Sequence, residues 1–176
     1  VVLTRVGAQR PTTSLDARLS LVRSAAAFSS RTALVLLLGA AHTANMGSAV
    51  ALSRDGQFAA VSAGQTHTDV LVFRRNGTTW SQEADLMGAI GFGTTVTISG
   101  DGSRALIGSP TEAAGSLGVG VVHLSQRSGA TWSSAGRWAA GASAVTAASF
   151  GSALALDATG RHAIVGDPVA STASGM

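Results

Sequence analysis

The stretch Phe92–Gly102, FGTTVTISGDG, recurs twice in the chain, as MGSAVALSRDG at Met46–Gly56 and FGSALALDATG at Phe150–Gly160. Each copy begins with a bulky apolar residue and glycine, alternates in polarity and closes on a glycine. Alternation with a period of two predicts a strand, and the closing glycine predicts a tight hairpin because it adopts positive φ without a Cβ clash. Spacings of 46 and 58 residues between copies are close to those of repeat architectures.

A second apolar run follows each closing glycine at the same distance, at residues 59–62, 105–108 and 163–166. Two copies continue with a third run and a Gly turn that lead into a fourth strand, predicted from Trp80 to Leu86 and from Trp132 to Trp138. Four short antiparallel strands form a sheet that cannot bury both faces alone, whereas sheets packed face to face around an axis can. We therefore predict an all-β chain that forms a partial β-propeller of about two and a half four-stranded blades.

The repeat divides the chain into segments. We expect a poorly ordered segment at 1–30, an apolar run at 31–45, complete blades at 46–86 and 87–139, and a partial blade at 140–176. The run at 31–45 has two interpretations that the sequence leaves open. It is the last strand of a preceding blade, since Leu38-Gly39-Ala40 resembles Met87-Gly88-Ala89, or it is the apolar core of a signal peptide behind Arg31. It is too short to span a membrane, which takes about 20 apolar residues.

The ordered recurrence of Phe-Gly, Asp-Gly, Gly-x-Pro and Arg-x-Gly-x-Thr-Trp resembles the FG-GAP repeat family over residues 46–176. The resemblance is strongest at Phe92-Gly93 and Phe150-Gly151, and the first copy departs from it with Met46. FG-GAP repeats build the β-propeller of integrin α-chains and occur in secreted or surface-anchored microbial proteins. The resemblance therefore implies a propeller module at the cell surface or outside the cell, with a role in binding or adhesion.

In that family, the hairpin between the first two strands carries a D-x-D-x-D-G calcium loop, which corresponds here to Thr97, Ser99 and Asp101. Calcium takes six to eight oxygen ligands and favours several carboxylates. Each copy in this chain keeps one carboxylate where the full motif supplies about three. Thr97, Ser99 and Asp101 are thus the calcium candidates, but we expect a plain Asp-Gly turn and no cofactor.

The composition excludes several classes of site. The 176 residues contain no cysteine, which excludes disulfides and thiolate metal centres. The formal net charge of +3 is the balance of twelve arginines against nine acidic residues, and Arg74-Arg75 is the closest pair of cations. Nucleic-acid binding needs clustered cations, so we expect no nucleic-acid partner.

We find no signature of hydrolase, metalloprotease, P-loop or dinucleotide chemistry. The histidines fall at unrelated repeat positions, and His123 lies within a strand, where we expect a surface or blade-interface role. Trp80 and Trp132 occupy one repeat position, which favours packing between blades over a carbohydrate platform. A paired-carboxylate mechanism would require convergence among the acidic residues in or beside the loops, namely Asp69, Glu112 and Asp167.

The copies differ in length at 64–69, 110–120 and 139–149, and loops that vary on a repeated scaffold commonly carry binding surfaces. We therefore predict a non-enzymatic module that binds a protein or glycan ligand through these loops. The alternatives are an accessory propeller part of a secreted hydrolase or lyase, or a truncated fragment without a function of its own. Open blade edges would also permit self-association.

Overall fold

The computed structural model describes residues 46–64, 67–113, 120–140 and 149–168, together with two short strands at 20–21 and 35–36. The chain divides into two units, Val1–Ala41 and His42–Met176. In the first unit, β1 (Ser20–Leu21) pairs antiparallel with β2 (Val35–Leu36). The predicted segments 1–30 and 31–45 otherwise lie outside the described residues, as do parts of the three variable loops.

The second unit contains ten strands among its described residues. They are β3 (Val50–Leu52), β4 (Phe58–Ala63), β5 (Asp69–Asn76), β6 (Thr79–Met87), β7 (Thr95–Ile98), β8 (Arg104–Ser109), β9 (Val121–Ser128), β10 (Thr131–Ala139), β11 (Ala153–Leu156) and β12 (Ala163–Gly166). Two four-stranded antiparallel sheets follow the orders β3-β4-β5-β6 and β7-β8-β9-β10, and β11 pairs with β12. The described part of the chain contains no helix, so none there crosses a membrane. The all-β prediction and the four-stranded sheets are confirmed, whereas a closed ring is not shown.

The predicted hairpin turns are confirmed by their backbone conformation. Glycines close the hairpins between first and second strands at Gly56, Gly102 and Gly160, with φ of 66°, 67° and 67°. Gly77 and Gly129 do so between third and fourth strands, with φ of 60° and 63°. The fourth strands, β6 and β10, extend one residue further at each end than the sequence predicts.

The two complete sheets, sheet A (β3–β6) and sheet B (β7–β10), pack through apolar side chains from facing surfaces. One cluster contains Ala60 and Val70 of sheet A with Phe92 and Ile107 from the sheet B repeat. A second joins Phe58 of sheet A to Ile98 and Ala105 of sheet B. The first strands β3, β7 and β11 are neighbours in that order, so the third copy continues the same stacking.

The glycine of the Phe-Gly turn brings one repeat against the backbone of the preceding one. A Cβ on Gly93 would lie 2.9 Å from Val70 Cγ2 and 3.2 Å from the Asp69 carbonyl oxygen. A Cβ on Gly151 would lie 3.0 Å from Val122 Cγ2, at the equivalent place on sheet B. Gly47, which has the same positive φ, has nothing within 4 Å of a Cβ. The glycine of the Phe-Gly turn therefore packs against the preceding sheet in the second and third copies, whereas in the first copy nothing lies within 4 Å of a Cβ on Gly47.

Candidate ligand-binding cleft

An open cleft of about 200 Å³ lies where sheet A meets sheet B. Its walls come from β6, the Phe-Gly turn, β9 and β10. The lining residues are Asp85, Leu86, Met87, Phe92, His123, Ser125, Trp132, Ser133 and Ser134. The cleft exists because two separately formed sheets meet along their outer strands, so its lining residues lie far apart in the sequence.

Beside the cleft, Glu83 of sheet A is bound by groups of sheet B. Arg127 Nε donates to Glu83 Oε1 at 2.5 Å and Arg127 Nη2 donates to Oε2 at 3.1 Å. Trp132 Nε1 donates to the same Oε1 at 3.1 Å. The Glu83 side chain is 8% exposed, so this charge is nearly removed from water and is compensated by a two-pronged guanidinium contact.

A β-bulge places Glu83 where it can make these contacts. The pairing of β5 with β6 runs from Val72↔Ala84 to Phe73↔Gln82 and leaves Glu83 without an opposite residue. The same irregularity recurs between β9 and β10, where Ala135 is skipped. An extra residue in one strand changes the direction of its side chain. The bulge is thus part of the repeat, and the carboxylate is particular to sheet A.

The hydrogen bond from Arg127 has the largest effect on the pKa of the Glu83 carboxyl, which it lowers. Burial raises this pKa, but the hydrogen bond from the Trp132 indole lowers it further, and the net pKa is lowered. Glu83 is therefore ionised at neutral pH. Arg127 also lies over the ring of Phe58, with the guanidinium carbon 4.5 Å from the ring centroid. One arginine thus connects a buried aromatic and a buried carboxylate of sheet A to sheet B.

His123 forms another wall of the cleft. Its Nε2 lies 2.7 Å from Glu112 Oε2, and its ring meets the ring of Phe92 edge-on with centroids 5.1 Å apart. Arg137 Nη2 donates to the other carboxylate oxygen of Glu112 at 2.9 Å. Burial raises the pKa of Glu112, but the bonds from His123 and Arg137 outweigh it, and the net pKa is lowered.

The open part of the cleft combines hydroxyl groups with exposed apolar surface. Ser133 and Ser134 are exposed, and Met87 is 76% exposed at the rim. Pockets that enclose small-molecule ligands typically measure about 300–1,000 Å³. A cleft of about 200 Å³ is smaller than these, so it fits one inserted group, such as a single side chain of a larger ligand.

The acidic residues in or beside the variable loops, whose convergence a paired-carboxylate mechanism would require, have different partners. Glu112 is held by His123 and Arg137, whereas Asp167 Oδ1 accepts a hydrogen bond from the Ser149 backbone N–H at 2.8 Å. Asp69 is buried at the start of β5, opposite Ala63. These contacts give no support to the paired-carboxylate mechanism that the hydrolase or lyase alternative would require.

The calcium candidates form a hydrogen-bonded turn. Asp101 Oδ1 accepts from Ser99 Oγ at 2.6 Å, from the Ser103 N–H at 3.0 Å and from Ser103 Oγ at 2.8 Å. Thr97 lies in β7, and Ser99 is fully buried. One carboxylate with three protein donors does not fit the ligand demand of calcium. Within the described ranges, no three His, Cys, Asp or Glu side chains are placed to hold a metal ion.

Other predicted residues have local roles. Trp132 packs against the cluster of Phe58, Ile98 and Ala105, as expected for packing between sheets. Arg74 Nη1 lies 3.9 Å from Glu83 Oε2, and Arg75 Nε donates to the carbonyl of Gly77. Sequence reasoning missed Glu83 and Asp85, because neither belongs to a recurrent motif.

Comparison with known proteins assigns no family. No family model matches the chain, so the FG-GAP resemblance stays a hypothesis, and a search of curated proteins finds no match. Among solved structures, the chain is similar to the crystal structure of the tricorn protease, with 16% identity and a TM-score of 0.42. That match covers 75% of this chain and 11% of the other, so the chain spans a small part of the tricorn structure.

Proposed function

We propose that this chain is a non-enzymatic β-propeller repeat module that binds a protein ligand outside the cell or at its surface. The observation that carries the proposal is the cleft between sheets A and B, which presents exposed Met87 beside the hydroxyls of Ser133 and Ser134. Apolar surface with a few polar groups is the usual character of a site that receives an anchoring side chain. The extracellular location rests on the FG-GAP resemblance.

A protein ligand is favoured over a glycan by the role of Trp132. Carbohydrate platforms need an aromatic face that is open to the sugar. The Trp132 indole N–H is bound to Glu83, and its ring packs against the core cluster at Phe58. The ring is therefore held mainly within the protein, while the more exposed apolar contact at the cleft is Met87.

The non-enzymatic part of the proposal is supported by the state of the carboxylates. A general acid needs a raised pKa so that it holds a proton near neutral pH. Glu83 and Glu112, the carboxyl groups bound at either side of the cleft, both have lowered pKa values. They are ionised and engaged in hydrogen bonds that join parts of the fold, which suits a structural role.

The test uses the whole chain immobilised as bait for a displayed random-peptide library, with a glycan array as the comparison. We expect enriched peptides whose binding falls at least tenfold in Ser134→Trp, which fills the cleft from an exposed position. Ser128→Trp is the matched control, because Ser128 is exposed at the hairpin end of β9 and outside the cleft. Peptides that bind both variants equally, or glycans that bind while no peptide does, would overturn the proposed protein ligand.

A further inference from the structure

The lining of the cleft between sheets A and B contains one acidic side chain and no arginine. Asp85 is the one carboxylate among the nine lining residues. Two arginines lie close by, but Arg127 donates to Glu83 and Arg137 donates to Glu112. A ligand that enters the cleft therefore meets a negative group, while these guanidinium groups are directed onto other carboxylates.

Asp85 lies beside Met87 because β6 alternates regularly beyond its bulge. Asp85 pairs with Leu71 and Met87 pairs with Asp69, so the two side chains lie two positions apart on one face of the strand. Both residues are exposed, and both line the cleft. Sheet A thus presents a carboxylate and an apolar side chain next to each other.

The strand pairing does not require an acid at this position. In sheet B the equivalent residue is Arg137, which pairs with His123 as Asp85 pairs with Leu71. Arg137 is also exposed, and its guanidinium reaches Glu112. A side chain of either charge therefore fits the repeat, and the carboxylate is particular to the cleft side of sheet A.

Hydroxyl groups face Asp85 from sheet B. Ser133 and Ser134 are exposed on β10, and Ser125 on β9 pairs with Ser134. All three line the cleft. A hydroxyl oxygen accepts hydrogen bonds, and an ionised carboxylate has about four acceptor positions, so Asp85 can bind a ligand in addition to its interactions within the protein. Hydrogen-bond acceptors thus line both sides of the cleft.

We infer that the cleft binds an arginine side chain of the protein ligand, an inference that rests on the proposed function. A guanidinium carries five N–H donors and no acceptor, so it complements a carboxylate with hydroxyl groups around it. Its methylene stem packs on apolar surface while the charged head stays polar, which matches Met87 beside Asp85. The ammonium of a lysine is a compact, strongly hydrated charge with three donors, so it spans these acceptors less well.

Other anchoring side chains fit the cleft less well. An acidic side chain would place a like charge beside Asp85. An apolar side chain would cover the Asp85 carboxylate without replacing its bonds to water, and the removal of a charge from water is costly unless it is paired. The single carboxylate therefore favours an arginine both by attraction and by its effect on the competitors.

The peptides enriched in the library distinguish this inference from the protein ligand itself. We expect an arginine in each peptide that Ser134→Trp blocks, and replacement of that arginine by citrulline should weaken binding at least tenfold. Citrulline keeps the shape of the side chain but carries no charge. Peptides that depend on the cleft through a residue other than arginine would overturn the inference and leave the protein ligand standing. A library without enriched peptides would instead overturn the protein ligand.

A defined peptide tests the cleft directly. A Gly-Gly-Arg-Gly-Gly peptide with blocked ends is added at millimolar concentration to the isotope-labelled whole chain, and the amide signals of β6 and β10 are followed by NMR. We expect saturable shifts and a dissociation constant at least fivefold lower than that of the citrulline peptide. Asp85→Asn should abolish this difference. Asp55→Asn should retain it, because it removes the same charge from an exposed turn outside the cleft. Equal binding of the two peptides, no saturable shift, or a difference that persists in Asp85→Asn would each overturn the inference.

Discussion

The guanidinium of Arg127 holds the carboxylate of Glu83 through two hydrogen bonds across the boundary between sheets A and B, at 2.5 and 3.1 Å. The two residues are 44 positions apart, and their side chains are 18% and 8% exposed. The contact joins a bulge in one sheet to the third strand of the next. The contact between the sheets therefore depends on the bulge in β6, which sets the position of Glu83.

Glu83→Gln should lower the free energy of unfolding by about 1–3 kcal/mol, since it leaves a largely buried guanidinium without its charged partner. Arg127→Lys should also destabilise, because an ammonium cannot reproduce the two parallel hydrogen bonds. Gln82→Ala, at an exposed neighbour on β6, should stay within about 0.5 kcal/mol of wild type. Urea unfolding measures all three, and a Glu83→Gln effect no larger than that of Gln82→Ala would contradict the assigned role.

Gly93→Ala should destabilise more than Gly47→Ala. Both glycines have φ near 90°, so both substitutions carry the strain of a side chain at positive φ, about 1–2 kcal/mol. Only Gly93 also approaches the preceding sheet, at Val70, which adds about 1–3 kcal/mol of overpacking. Equal losses would show that the Phe-Gly turn does not dock as described.

Gly102→Val should be more damaging than Gly129→Val, which lies in the other hairpin at the same end of sheet B. Their φ values are 67° and 63°, so the backbone strain is similar. A Cβ on Gly102 would overlap the ring of Phe58, whereas a Cβ on Gly129 would have nothing within 4 Å. We expect a loss of about 1 kcal/mol or more from φ strain at either position, and a further loss only at Gly102. Thermal unfolding of the pair distinguishes the two contributions.

The stabilising effect of Asp101 should disappear in acid. Burial raises the pKa of Asp101, but hydrogen bonds from Ser99 and Ser103 outweigh it and hold the pKa below its ordinary value. A carboxyl with a lowered folded-state pKa contributes stability above its unfolded pKa, near 3.9, and loses it as the pH falls through the folded value. Asp101→Asn should therefore be less stable than wild type at pH 6, and the difference should shrink below about pH 4. A difference independent of pH between 6 and 3 would argue against this role.

In the third hairpin, the carboxylate and the hydroxyl group have exchanged positions relative to the second hairpin, where Ser99 donates to Asp101. Asp157 takes the position of Ser99 and accepts from Thr159 Oγ1 and from the Arg161 N–H, both at 2.8 Å. Asp157→Ser alone should lower the melting temperature because the hydroxyl of Thr159 loses its carboxylate partner. The double change Asp157→Ser with Thr159→Asp reproduces the pattern of the second hairpin and should recover the loss. Failure to recover would show that the hairpins are not interchangeable.

Much of the fold could be predicted because the repeat carries local information. Alternating residues in Phe92–Gly102 define a strand, and Gly102 is needed where φ is positive. The candidate site was harder to predict from the sequence. Trp132 and His123 attracted attention in the sequence, whereas Glu83 did not, because its repeat position in sheet B is Ala135. Nothing local distinguishes a glutamate that will be buried from one on an exposed strand.

The sequence by itself determined the strands and the hairpins of the described repeats, because strand periodicity and positive φ depend on neighbouring residues. Only the tertiary structure decided which carboxylates are buried and which glycines touch another sheet. Gly47 and Gly93 have the same local motif, yet only Gly93 has a sheet beside it among the described residues. Asp101 sits where the repeat motif suggested a metal ligand, but its bonds to Ser99 and Ser103 make it a turn residue. These outcomes depend on groups brought together by packing, and no short stretch of sequence contains them.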